Sequence, residues 1–327
     1  MIAAASLMEK AIAVVREGRL ARGIKLSPDD VNRTGLIGLR YSPLTTTLGD
    51  LAAKRTTINP NMAALLVRLL YEAGAERGDA VAIGASGSFP ALIIASLAAA
   101  HVMGLHPILI CSLGASQWGA NDPCFTWLQI ENLLVTEGVF PEEYRAVAVS
   151  LGGDRDSGLN LDPEVREDLI ATIVASGARF LHEPDLAKNV AERVRIYEAY
   201  AGDRRIAAFV GIGGNWADMG EDPAILSLQP GLNVLQSPPE GDNRGVTFEM
   251  AARGIPVIHL LNIRALALRY GIAWDPSPLP PPETGSFYAQ RDGSIGTSFL
   301  IVASTYLGLA LAWAVGRCTS LWAGGRA

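Results

Sequence analysis

Serines set on loops of small residues are the groups in this sequence best placed to do chemistry. Three β-branched stretches run straight into such loops: Val81-Ala82-Ile83-Gly84-Ala85-Ser86-Gly87-Ser88, Ile108-Leu109-Ile110-Cys111-Ser112-Leu113-Gly114-Ala115-Ser116 and Phe209-Val210-Gly211-Ile212-Gly213-Gly214-Asn215. In an open parallel sheet, loops leaving the carboxyl ends of strands converge on one crevice. Small residues there leave room for a ligand and let backbone N–H groups point at it. Ser86 lies where a strand-to-helix turn would expose a nucleophile, although Ser88 replaces the second glycine of that motif. An acid and a histidine follow in workable order, Asp154 and His259. His259, however, sits inside the apolar run Pro256-Val257-Ile258-His259-Leu260-Leu261, a strand rather than a catalytic loop, which argues against a triad. Ser86 is the candidate nucleophile if the chain is an enzyme; Ser88 and Ser116 are candidate ligand contacts.

A second group is Lys54-Arg55, after Thr45-Thr46-Thr47-Leu48-Gly49-Asp50. A lysine serves as a base only when burial makes it shed its proton. Beside Arg55 the simpler role is binding an anion, a carboxylate or a phosphate, and the plain alternative is a solvated basic pair. Asn121 stands in the polar loop Ser116-Gln117-Trp118-Gly119-Ala120-Asn121-Asp122-Pro123, where Trp118 and, further on, Trp127 either face a ligand or pack the next helix. Asp154, in Gly152-Gly153-Asp154-Arg155-Asp156-Ser157-Gly158, is a further binding candidate; a complete calcium-loop pattern is absent and no metal is expected. Asn215 closes the third loop. The spacing there fails the dinucleotide fingerprint, because Ala217 and Asp218 follow Trp216, so no nucleotide cofactor is expected.

Positioning these residues requires an α/β framework. Between Asp79 and Asp122 there is no acidic residue, lysine or arginine. Glycines and prolines divide that stretch into strand 80–84, helix 90–103 and strand 107–111, a buried βαβ unit. Asn59-Pro60 opens a helix that Gly74 closes; Asp162-Pro163 opens another that Gly177 closes. Strands at 146–151, 178–182, 206–212 and 255–260 alternate with helices near 124–136, 185–201 and 244–253. The expected fold is a doubly wound, mainly parallel α/β sheet, Rossmann-like in outline. Its parts are an N-terminal amphipathic helix (1–29), the α/β domain (30–274), a proline-rich linker (275–293) and a hydrophobic helix (294–316).

The chain has 327 residues, a net charge of −6, 49% hydrophobic and 18% charged residues. The low charged fraction points to deeply buried segments or a membrane, and no basic cluster marks a nucleic-acid footprint. Three cysteines and four histidines fall at spacings that suit neither a disulfide framework nor a zinc site. Residues 1–23 are interrupted by Glu9, Lys10, Arg16, Glu17 and Arg19, unlike a signal peptide. Residues 294–316 carry no charge and are long enough to cross a bilayer. Ser304, Gly308 and Ala312 form a small-residue stripe there, suited to close packing against a second membrane helix. Arg317 and Arg326 beyond it put the α/β domain outside the cytoplasm under the positive-inside rule.

Several runs carry a resemblance: Thr34-Gly35-Leu36-Ile37-Gly38, Thr45 to Thr56, Asn59-Pro60, Ser86 to Leu92, Gly114-Ala115-Ser116 through Phe125-Thr126-Trp127, and Arg253 to Ile263. Over roughly residues 30–285 the chain resembles the poly-gamma-glutamate system protein family. That resemblance implies a membrane-associated component of a system that makes or exports γ-linked polyglutamate. It specifies context rather than chemistry and transfers no catalytic residue. The leading expectation is an accessory protein that binds the anionic polymer or a synthase subunit. The alternatives are a serine-dependent hydrolase or transferase acting on γ-glutamyl bonds, and a domain that binds glutamate or a nucleotide.

Overall fold

The computed structural model describes residues 1–289. Helix α1 (Ile2–Ala21) buries Ala4, Ala5, Met8, Ala11, Ile12 and Val15, the three-and-four spacing of one helical face. Strand β1 (Thr45–Thr47), helix α2 (Leu51–Thr57) and helix α3 (Asn61–Glu72) follow. The charge-free stretch forms β2 (Ala80–Ser86), α4 (Pro90–Met103), β3 (His106–Ser112) and the two-residue β4 (Ala115–Ser116). Next come α5 (Trp127–Thr136), β5 (Ala148–Ser150), α6 (Pro163–Ser176), β6 (Arg179–Phe180) and α7 (Leu186–Ala201). The last part contains β7 (Ile206–Ile212), α8 (Trp216–Met219), β8 (Gly231–Asn233), α9 (Val246–Ala252), β9 (Val257–Leu260) and α10 (Ile263–Tyr270).

Seven strands form one sheet in the order β6-β5-β3-β2-β7-β9-β8, parallel except for the edge strand β8. The chain winds outward from β2 through β3, β5 and β6, then returns to β7 on the other side of β2. That reversal places a topological switch point between β2 and β7, where open α/β sheets bind ligands. One face packs against α7 and α9: Ala80, Ala82, Ile108, Ile110 and Phe209 cluster with Val190, Val194, Tyr197 and Met250. The alternate residues Val81, Ile83 and Leu109 are buried as well, so the second face is covered too. Helix α4 contacts β2, β3 and β7, and in turn α1 and α3. Enclosed between sheet and helices, α4 is buried at every position from Pro90 to Ala100, which accounts for its lack of charge.

The α/β, mainly parallel sheet is therefore as expected. Other details differ. Helix α1 packs on α3, α4 and α5, and Arg19 near its end pairs with Asp122 at 2.7 Å. Helix α5 begins at Trp127, not near 124, because Thr126 and Gln129 form a capping box. The proline-rich stretch after residue 274 is held to the body as far as Pro281. Asp275 chelates Arg55, the Pro276 carbonyl accepts from Asn32 Nδ2 at 2.7 Å, and the Pro281 carbonyl accepts from Asn61 Nδ2 at 3.0 Å. Among the described residues no helix is long and apolar enough to cross a membrane. The expected span at 294–316, with Ser304, Gly308 and Ala312, lies outside the described residues.

Because α4 has the sheet on one side and two helices on the other, it cannot relax into solvent when truncated. Ile94→Ala is expected to cost about 2–5 kcal/mol, read as a lower urea midpoint with an unchanged denaturant slope.

Candidate functional site

A cavity of about 510 Å³ opens at the carboxyl ends of the central strands. The three small-residue loops all line it, through Ser86, Ser88, Ser112, Gly114, Ser116, Gly214 and Asn215. Further wall comes from Thr46 to Asp50, from Gly152 to Asp154, and from Leu261 to Arg264. Strand register sets part of the floor: Ser86 of β2 lies beside Ser112 of β3, which lies beside Ser150 of β5.

Lys54 is the central group. Asp50 caps α2, its Oδ1 accepting from the Ala52 and Ala53 N–H groups at 2.9 and 3.2 Å. One turn on, Lys54 extends into the cavity wall and is only 3% exposed. Its Nζ donates to the Ser88 carbonyl, lies 2.7 Å from Ser116 Oγ, and sits 3.6 Å from the centre of the Phe89 ring. No carboxylate of the described residues lies within ion-pair distance of it. Burial pulls its pKa down to about 7, against the smaller upward pull of Asp50.

The serines form a chain leading to it. Ser86 Oγ accepts from the Ser88 N–H at 3.3 Å, and Ser88 Oγ accepts from the Ser116 N–H at 3.0 Å. Ser88 therefore does not cap α4, whose N-terminus has no side-chain cap. Gly119 makes the close approach possible: a Cβ there would lie 2.7 Å from the Gly87 carbonyl oxygen and 2.8 Å from Ser88 Cα.

Other expected site residues are divided. Ser86, Asp154 and Asn215 line the cavity; Asn215 also caps α8 through the Ala217 N–H at 2.8 Å. Arg55 does not join Lys54 there. Its Nε and Nη2 bind both oxygens of Asp275 at 2.6 Å each, so it fastens the proline-rich segment. Asn121 is fully buried away from the cavity lining. It bonds Leu39 on both its N–H and carbonyl sides at 2.8 Å, and Thr45 Oγ1 at 2.9 Å. Both residues satisfy a structural need at positions where type and loop context suggested binding. Trp118 donates to Asp29 and Trp127 is core, so neither faces the cavity. His259 is buried within β9, and burial lowers its pKa to about 4. It is not on the cavity lining, and no triad with Ser86 and Asp154 is assembled.

Sequence reading missed the support beneath the cavity. Arg193 of α7 is fully buried. Its Nη2 donates to Asp156 Oδ2 at 2.6 Å and Ser150 Oγ at 2.9 Å, and its Nε to Asn189 Oδ1 at 2.9 Å. Its Nη1 lies 3.9 Å from Asp218 Oδ1. Burial raises Asp218 to about 7, with Arg193 opposing that shift. Asp156 follows the lining residues Gly152 to Asp154, and Asp218 lies in α8, which follows the lining residues Gly214 and Asn215. Also missed were Phe89 beneath Lys54 and the exposed Arg264 at the rim; Phe89 follows Ser88 directly, and that adjacency was the available signal. Comparison of the chain with protein-family models, curated proteins and solved structures finds no match.

The shift at Lys54 fixes a pH dependence of stability. Its folded pKa of about 7 lies below the ordinary 10.5, so between those values the unfolded chain binds the extra proton and stability rises with pH. Lys54→Met is expected to flatten that limb. Urea midpoints measured between pH 7 and 10 should climb less in the variant than in the wild type.

Proposed function

We propose that the protein is a membrane-associated component of a γ-linked polyglutamate synthesis or export system, and that its strand-end cavity binds the anionic chain. The observation that carries this reading is that Lys54 and Arg264 both line the cavity, neither paired with a carboxylate of the described residues. Each γ-linked unit presents a free α-carboxylate, and a guanidinium is the stronger partner for one, because it offers a planar fork of donors. Of the acids on the lining, Asp50 is committed to capping α2, whereas Asp154 is exposed at the rim and opposes an anion. The choice of polymer rests on the resemblance, whose runs include Lys54, Ser86, Ser88 and Ser116. The charge-free run 294–316 is assigned as the anchor on its length and composition.

Titration calorimetry with a γ-linked glutamate oligomer tests the binding. Arg264→Ala is expected to weaken affinity several-fold, and Asp154→Asn to strengthen it. Both effects should shrink as salt is raised, since the contacts at the rim are screened. Absence of binding, or variants that move affinity in neither direction, would refute the assignment. The anchor has its own test: deleting 294–327 should move the protein from the membrane fraction to the soluble one, and an unchanged distribution would exclude it.

A further inference from the structure

We infer that Ser116 is a nucleophile and Lys54 its general base, in a site that cleaves or transfers γ-glutamyl amide bonds. The inference rests on the polymer reading for its substrate class alone; the pair itself rests on geometry.

Ser116 Oγ and Lys54 Nζ are 2.7 Å apart, within the range for a nucleophile and its base. Both line the same cavity, and both are nearly buried, at 6% and 3% exposure. Ser116 is fixed on each side. It belongs to β4, which pairs with β1 with Thr47 opposite Ser116, and its N–H is held by Ser88 Oγ. The next N–H, of Gln117, is bonded to the Thr47 carbonyl at 3.1 Å. Lys54 is fixed as firmly by the Ser88 carbonyl and the Phe89 ring. A neutral amine suits this environment: one N–H donates to the Ser88 carbonyl, and the lone pair can accept from the Ser116 hydroxyl 2.7 Å away, with the Phe89 ring beside it. Among the described residues no carboxylate lies within ion-pair distance of the amine; burial favours the neutral form, against the smaller pull of Asp50. Among the described residues Ser86, which sequence context favours as nucleophile, bonds a backbone N–H through Oγ and has no base against it.

The step balances without any outside reagent but water or an amine. Lys54 Nζ takes the Ser116 hydroxyl proton as Oγ bonds to the γ-carbonyl carbon. The C–N bond then breaks, and the proton on Nζ passes to the leaving amine, giving a Ser116 ester. Water, or the amine of another glutamyl unit, gives its proton to Nζ and attacks the ester carbon. Ser116 Oγ leaves and recovers that proton.

The test uses the full chain with two probes, a fluorophosphonate read by intact mass and peptide mapping, and a γ-linked glutamate oligomer read by chain length. Wild type should be labelled at Ser116, with a rate that rises through about pH 7, and should shorten or extend the oligomer. Ser116→Ala should abolish labelling at that residue. Lys54→Met should slow labelling by about 10²–10⁴-fold, the usual worth of a positioned base, and should remove the inflection near pH 7. Circular dichroism establishes that both variants fold; if Ser116→Ala does not, the Lys54→Met rate and its pH profile decide. Labelling at Ser116 without binding or turnover of the oligomer supports the pair and overturns the polymer reading. An oligomer that binds but is never cut, with Ser116 unlabelled, overturns the pair. Labelling at Ser86 instead also overturns it.

Discussion

A guanidinium removed from water has to be neutralised where it stands, and in this fold Arg193 imposes that requirement beneath the cavity. Its partners Asp156 and Asp218 come from separate segments, the loop after β5 and the short helix α8 after β7. Removing one member of such a buried set costs about 3–5 kcal/mol, because the other charge is left uncompensated. Both segments are thus held from below, and the residues they present upward, Asp154 on one and Asn215 and Trp216 on the other, are held with them. The same cluster reaches into the central strand: a Cβ on Gly84 would lie 2.5 Å from both Asp218 oxygens. A glycine that reads in sequence as room for a ligand is room for a carboxylate of the protein itself.

The second buried cation behaves in the opposite way. Arg193 is held charged by two aspartates, chiefly Asp156. Among the described residues Lys54 has none in contact, and burial brings its proton within reach of neutral pH. Similar burial with different neighbours makes one group a structural tie and the other a group able to exchange a proton. The contrast depends on chemical type as well as surroundings, since a guanidinium does not deprotonate under any physiological condition whereas an ammonium does.

The regular part of the fold was legible because its signals are local. Pro90 and Gly104 bound α4, Pro163 and Gly177 bound α6, and the absence of charge from Asp79 to Asp122 follows from burial on both faces. The convergence of three loops was legible for the same reason: parallel strands put their carboxyl ends together. The partner of each polar side chain was not. Arg55 and Asp275 are far apart in sequence, as are Arg193 and Asp156, and nothing in the spacing of either pair announces the contact. Arg55 therefore looked free and Arg193 unremarked, though one holds the proline-rich segment and the other the cavity walls. Serine identity failed more narrowly. The elbow-like context favours Ser86, but the side chain that meets Lys54 is Ser116, brought there by the short β1–β4 pairing that no periodicity predicts.

A polyanionic ligand sets a further constraint on how these groups can be used. A carboxylate in contact with an ammonium, about 4 Å away at an effective dielectric near 20, is worth about 4 kcal/mol. Such a contact raises the Lys54 pKa back toward its ordinary value and works against its use as a base. The proposed γ-glutamyl ligand carries such a carboxylate on every unit, so a register that seated one against Lys54 would favour binding over reaction. Chemistry at Ser116 needs the carboxylate elsewhere and the amide carbonyl against the serine. Arg264 is the other cation on the lining, exposed at the rim and unable to lose its charge. In the proposed site, placing the carboxylate there would leave Lys54 neutral beside Ser116, so that the arginine would hold the ligand and the lysine would move the proton.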